Sequence, residues 1–149
     1  MSRRKGVRVV RDHRRQVAAL PWRRSAQGVE VLLITSRETR RWVTPKGWPM
    51  PRKTAAEAAA QEAWEEAGVR GVIDPQPLGA FRYDKRLKNN RLQPCVVDLF
   101  PLEVTEQADA WPEADERERR WMAPREAAPL VDEPELTALI QAFGALHDD

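Results

Sequence analysis

The sequence predicts a single α+β domain, a mixed sheet flanked by helices. Three observations carry that expectation. β-rich apolar runs recur between residues 16 and 104, one strongly signalled helix interrupts them after Thr54, and a proline-divided helical stretch closes the chain without regular βαβ alternation. At 149 residues the chain fits one domain and is long enough to bury a sizeable core.

Residues 1–13 are basic and aperiodic, and are expected to form a flexible arm ahead of a domain spanning 14–146. Gln16 to Trp22 reads as a first strand, with Pro21 suggesting an edge or a bulge. A turn at Ser25 to Gly28 precedes the β-rich run Val29 to Ser36, and Arg41 to Thr44 is a short strand ending at Pro45. Thr54 and Glu57 form a capping box that starts a helix, and Gly68 is a natural left-handed residue to end it. Gly71 to Tyr83 and Leu92 to Val104 read as two longer strands joined by the charged loop Asp84 to Arg91, a hairpin. Pro124 to Leu146 is helical in pattern, divided by Pro129 and Pro134.

On the central helix, Glu65 lies about 60° to one side of Glu62 and Glu66 about 40° to the other, so three carboxylates share one narrow face. Like charges at this spacing repel, so a cation between them is favourable. Oxygen-only ligands select a hard divalent ion, Mg²⁺ or alternatively Mn²⁺, over zinc. Ala56, Ala59, Ala60, Ala63 and Ala67 form a second face of small side chains that can approach a sheet closely, which turns the glutamates outward, beside the loop that enters the helix. Trp64 on the flank, and Trp42 and Trp48 around the loop, read first as packing residues. For the latter two, stacking on a base is the alternative.

The spacing from Gly47 through Glu62, Glu65, Glu66, Gly68 and Val69 resembles the Nudix box, G-x5-E-x7-R-E-U-x-E-E-x-G-U with U aliphatic. Lys53 and Gln61 depart from it, standing where the box has a Glu and an Arg expected to pair. Both partners are absent together, so neither charge is orphaned. Val29 to Arg37, Arg41 to Gly47, and Arg119 to Met122 followed by a helix at Glu133 to Leu146 are similar to the diphosphoinositol polyphosphate phosphohydrolase branch, which carries glycines where this chain has Lys46 and Trp48. The resemblance implies an α/β/α sandwich with a mixed sheet, metal ligation by Glu62, Glu65, Glu66 and the backbone carbonyl of Lys46, and a glutamate base, Glu66 first and Glu65 second. It also implies phosphate contacts from Arg14, Arg15, Ser36, Arg37, Arg41, Lys46 and Gly47. Beside these, Arg86, Lys88 and Arg91 lie on a charged loop that could close over the site.

The activity so implied is metal-dependent hydrolysis of a diphosphate linkage in a highly phosphorylated small molecule, an inositol pyrophosphate or a dinucleoside polyphosphate. Two alternatives stand beside it: a nucleotide-sanitising or nucleotide-sugar pyrophosphohydrolase, and a non-catalytic module binding a phospholigand or RNA. Residues 1–100 carry 21 basic and 10 acidic side chains, and residues 101–149 carry 4 and 13. The first segment would attract polyphosphate, while Glu103 to Glu118 reads as a solvated surface. No RNA-binding signature with interleaved aromatics appears, so nucleic acid is not the expected partner. There is no bilayer-length apolar run and no secretory pattern, and a soluble cytoplasmic enzyme is expected. Cys95 reads as a buried thiol, His13 and His147 as surface residues, and nothing marks a dimer face.

Overall fold

The structure is a computed structural model and describes residues 8, 9 and 12–147. Among the described residues nine strands form one mixed sheet: β1 Arg8–Val9, β2 Arg14–Ser25, β3 Gly28–Thr35, β4 Trp42–Val43, β5 Lys46–Gly47, β6 Val69–Ile73, β7 Gly79–Arg86, β8 Arg91–Gln107 and β9 Arg119–Met122. Helix α1 spans Ala55–Ala67, the single turn α2 Pro124–Ala127, and α3 Pro134–Leu146.

The long strand β8 organises the sheet. Its residues 95–103 run parallel to Arg14–Trp22 of β2, and its other edge takes β6 and β7 antiparallel. Strand β3 pairs antiparallel with β2, β4 and β9. Strand period 2 then sorts the core into two layers. Ala18, Leu20, Val31 and Leu33 face Leu136, Ile140 and Phe143 of α3, while Val17, Ala19, Leu32 and Ile34 face the alanines of α1. The architecture is therefore the expected helix–sheet–helix sandwich.

Several expectations change. Strand β2 is flanked by β8, β3 and β5, so Pro21 does not mark an edge. The interval expected as one strand from Gly71 to Tyr83 is two, because residues 74–78, with Pro75 and Pro77, leave the ladder before Gly79 restarts it. The 84–91 hairpin holds, but its strands extend to Arg86 and from Arg91, leaving a 3₁₀ turn at Lys88–Asn90. The basic arm lies mostly outside the described residues, although Arg8 and Val9 pair with Arg91 and Leu92. His147 is half-buried, its ring 4.2 Å from Phe143 and 5.0 Å from Trp22. Cys95 is buried as expected.

Candidate active site

Helix α1 begins and ends where its sequence dictates. Thr54 accepts from Glu57 N at 3.1 Å while Glu57 Oε1 accepts from Thr54 N at 2.8 Å, closing the capping box. Gly68 adopts φ 69° and donates back to Ala63 and Trp64 carbonyls. Alanines 56, 58, 59, 63 and 67 are buried against the sheet; Ala60 is only partly covered and Ala58 takes its place.

Strand β5 brings the entering loop to the glutamates. Gly47 and Lys46 pair with Val17 and Ala18 of β2, next to α1. The Glu62 carboxylate occupies the space a Cβ on residue 47 would fill, so only glycine permits this approach. Lys46 N donates to Glu66 Oε1 at 3.3 Å. The rest of the loop is braced without the pair absent at Lys53 and Gln61. Met50 packs on the α1-side core, and the Arg14 guanidinium lies 5.3 Å from the Trp48 ring.

The glutamate face is not simply turned outward. Glu66 is 9% exposed, Glu62 and Glu65 are half-buried, and the segment read as a solvated acidic surface folds over them. Arg117, 8% exposed at its side chain, places Nη2 3.6 Å from Glu66 Oε2, donates Nε–H to Glu113 Oε1 at 2.7 Å and Nη1–H to Thr35 O at 3.0 Å. Glu113 N donates to Glu65 O at 3.1 Å. Trp111 Nε1 donates to Glu66 O, and Arg119 at the start of β9 donates to Ala67 O and Ala108 O, so this loop and β9 together satisfy the last carbonyls of α1.

Burial, then repulsion from Glu66 and Glu65, pushes the Glu62 carboxyl up to about 8. Burial also raises Glu66, against the pull of Arg117 and Lys46. The Lys46 amine, 4.9 Å from the centre of the Tyr83 ring, is brought down to about 8 by burial. Among the described residues no three acidic, His or Cys side chains are assembled as a metal cage. Two facing carboxyls that resist joint ionisation, with Glu65 adding to the strain, nevertheless form an oxygen-only set that a hard divalent cation would relieve.

A cavity of about 930 Å³ opens beside Glu62 and Glu66. Of the residues expected to meet phosphate, Ser36, Arg37, Arg41, Lys46, Gly47 and Arg86 line it, as does Trp48. Arg14, Arg15, Lys88 and Arg91 do not. Arg14 lies against Trp48, Arg15 pairs with Asp98 at 2.8 Å, and Lys88 and Arg91 are exposed at the hairpin end. Lys85, Tyr83, Gln16, Arg117 and Glu116 line the cavity without having been singled out in the sequence. For Lys85 a local signal existed, its alternation with Tyr83 along a strand. Arg117 and Gln16 had none.

Both the sequence and the fold have known relatives. Residues 12–143 match the NUDIX domain. The chain belongs to the Nudix hydrolase family. It is 35% identical over 124 residues to Nudix hydrolase 12, mitochondrial, of Arabidopsis thaliana, covering 81% of this chain and 61% of that protein. It is 32% identical over 111 residues to diphosphoinositol polyphosphate phosphohydrolase 3-alpha of Mus musculus, covering 72% and 63%. Both relatives are longer than this Nudix chain, which spans somewhat less than two thirds of each. The Ap4A hydrolase of C. elegans shares the fold at TM-score 0.63 and 20% identity, covering 91% of this chain and 98% of that one. No helix among the described residues is long and apolar enough to cross a membrane.

Proposed function

We propose that this Nudix protein hydrolyses a diphosphate linkage in a highly phosphorylated small molecule, an inositol pyrophosphate or a dinucleoside polyphosphate, with Mg²⁺ or Mn²⁺. The observation that carries the reading is the Glu62–Glu66 pair, held against Gly47, at the edge of a cation-lined cavity. Glu62 and Glu66, with Glu65 and the Lys46 carbonyl, would hold the metal, which when bound neutralises phosphate charge and acidifies water. The chain's own residues do the rest. Lys46, Lys85 and Arg86 bind phosphate oxygens and align the linkage, while Ser36, Arg37 and Arg41 line the part of the cavity that receives the rest of the substrate. Glu66 accepts the proton of the attacking water, with Glu65 as second choice. Arg117 holds Glu66 in place from behind.

The test is product release by the purified protein with Mg²⁺ against inositol pyrophosphates, diadenosine polyphosphates and nucleoside triphosphates, beside Glu66→Gln. Turnover that Glu66→Gln lowers by about 10³-fold or more supports the reading. A second reading, a module that binds a phospholigand without hydrolysing it, is favoured by the absent box pair at Lys53 and Gln61. Binding of polyphosphate with no turnover of any compound would establish that reading and sink the first.

A further inference from the structure

The cations that line the cavity are not equivalently paired. Among the described residues Lys46, Lys85 and Arg86 have no carboxylate at ion-pair distance, Arg86 donating instead to Asn90 Oδ1 at 2.5 Å. Arg37 and Arg41 already hold carboxylates. Arg37 lies 3.6 Å from Glu116, and Arg41 places Nη1 3.0 Å from Glu133 Oε2 and 3.6 Å from Asp132 Oδ2. Glu133 is fixed by the fold. It is the residue before α3, its carbonyl accepts from Thr137 N at 3.0 Å, and its side chain is only 10% exposed. Its charge reaches further than Arg41, because it also acts on Lys46 and Tyr83.

Resting on the diphosphate reading above, we infer that Glu133, assisted by Asp132, is a specificity-determining residue that discharges the Arg41 wall and limits how many phosphates the cavity accepts. A ring bearing phosphate on every side must place some of them against this wall, where they meet Glu133 and an Arg41 that already has its carboxylate. A linear polyphosphate chain instead lays its charge along Lys46, Lys85 and Arg86 and turns an uncharged terminal group toward Arg41. The geometry therefore selects linear polyphosphates with uncharged ends over fully phosphorylated rings. Glu133 acts through Arg41 and the local field, as a positioning and selecting group; it touches no reacting atom.

The test is calorimetric binding of two polyanions without a hydrolysable diphosphate linkage, inositol hexakisphosphate and a diadenosine tetraphosphate with all three bridging oxygens replaced by methylene, to the wild type, Glu133→Gln and Asp132→Asn. Glu133→Gln keeps a hydrogen-bond partner for Arg41 while removing the charge. It is expected to tighten the hexakisphosphate roughly fivefold and the linear ligand less than about twofold. Asp132 is exposed, so Asp132→Asn carries no folding risk and should shift the ratio in the same direction by about twofold. A merely structural role would move both ligands by one factor. Equal shifts, or none, overturn the inference while leaving the diphosphate reading standing. Failure of the wild type to bind either ligand overturns both.

Discussion

The carboxyl of Glu62 carries its proton far above the usual carboxylate range, and that has a consequence for stability. A group raised from 4.5 to about 8 in the folded protein contributes stability that is complete below 4.5 and lost as pH rises through about 8. The metal-free protein should therefore lose melting temperature across this window, and Glu62→Gln should flatten the loss. Millimolar Mg²⁺ should restore the wild type at pH 8 and leave Glu62→Gln little changed. Thermal melts at several pH values with and without metal decide it; a wild-type profile identical to that of Glu62→Gln would refute the upward shift that burial and the neighbouring carboxylates give Glu62. Glu62, Glu65 and Glu66 were legible in the sequence because helical spacing is local and Thr54 and Gly68 fix its phase. Arg117 and Glu133 were not. Arg117 lies 51 positions beyond Glu66, and Glu133 lies 92 beyond Arg41, so only the docking of the loop and of α3 brings them in.

At the scale of the element, α1 is held at its two ends by different means. The N-terminal capping box is exposed and far from the chemistry, so Thr54→Ala should cost about 1 kcal/mol of stability and leave kcat unchanged. The C-terminal end is clamped by Trp111 and Arg119, and the carbonyl that Trp111 holds belongs to Glu66 itself. Trp111→Phe removes that N–H and is expected to cost a similar ~1 kcal/mol, but to lower kcat as well, since Glu66 loses its fixed backbone. Equilibrium unfolding and steady-state kinetics of the two variants separate the cases. Equal kcat in both would mean that the clamp is structural only. The clamp was hidden in the sequence because acidic residues around Trp111 suggest a solvated segment, and nothing local says that its indole and Arg119 turn inward. Pro21 misled for the opposite reason. A proline cannot donate to a ladder, yet β2 is interior: nine of its residues pair in parallel with β8, and on the other side Pro21 falls between the residues that pair with β5 and those that pair with β3.

Across the whole molecule, the fold redistributes the charge that the sequence separates. The basic first 100 residues suggested a positive field drawing polyphosphate inward. Seven of the ten ion pairs among the described residues instead join that segment to residues 101–149: Arg37–Glu116, Arg40–Glu118, Arg41 with Asp132 and with Glu133, Arg70–Glu106, Arg82–Glu135 and Glu66–Arg117. The acidic last third is thus wrapped against the basic first two thirds, and the exposed pairs among these add little stability while cancelling each other's long-range potential. What remains for substrate is short-range: Lys46, Lys85 and Arg86 at the cavity wall, acting at contact distance where salt screens least. The kcat/KM for the polyphosphate substrate should therefore fall by less than about tenfold between roughly 50 and 500 mM monovalent salt at constant free Mg²⁺. A Lys85→Gln variant should lower kcat/KM at every ionic strength without flattening that slope. Kinetics over the salt series check both statements. A fall of several decades that Lys85→Gln abolishes would mean that the field of the basic first 100 residues survives folding, and that encounter, not contact at the wall, governs how this chain captures its substrate.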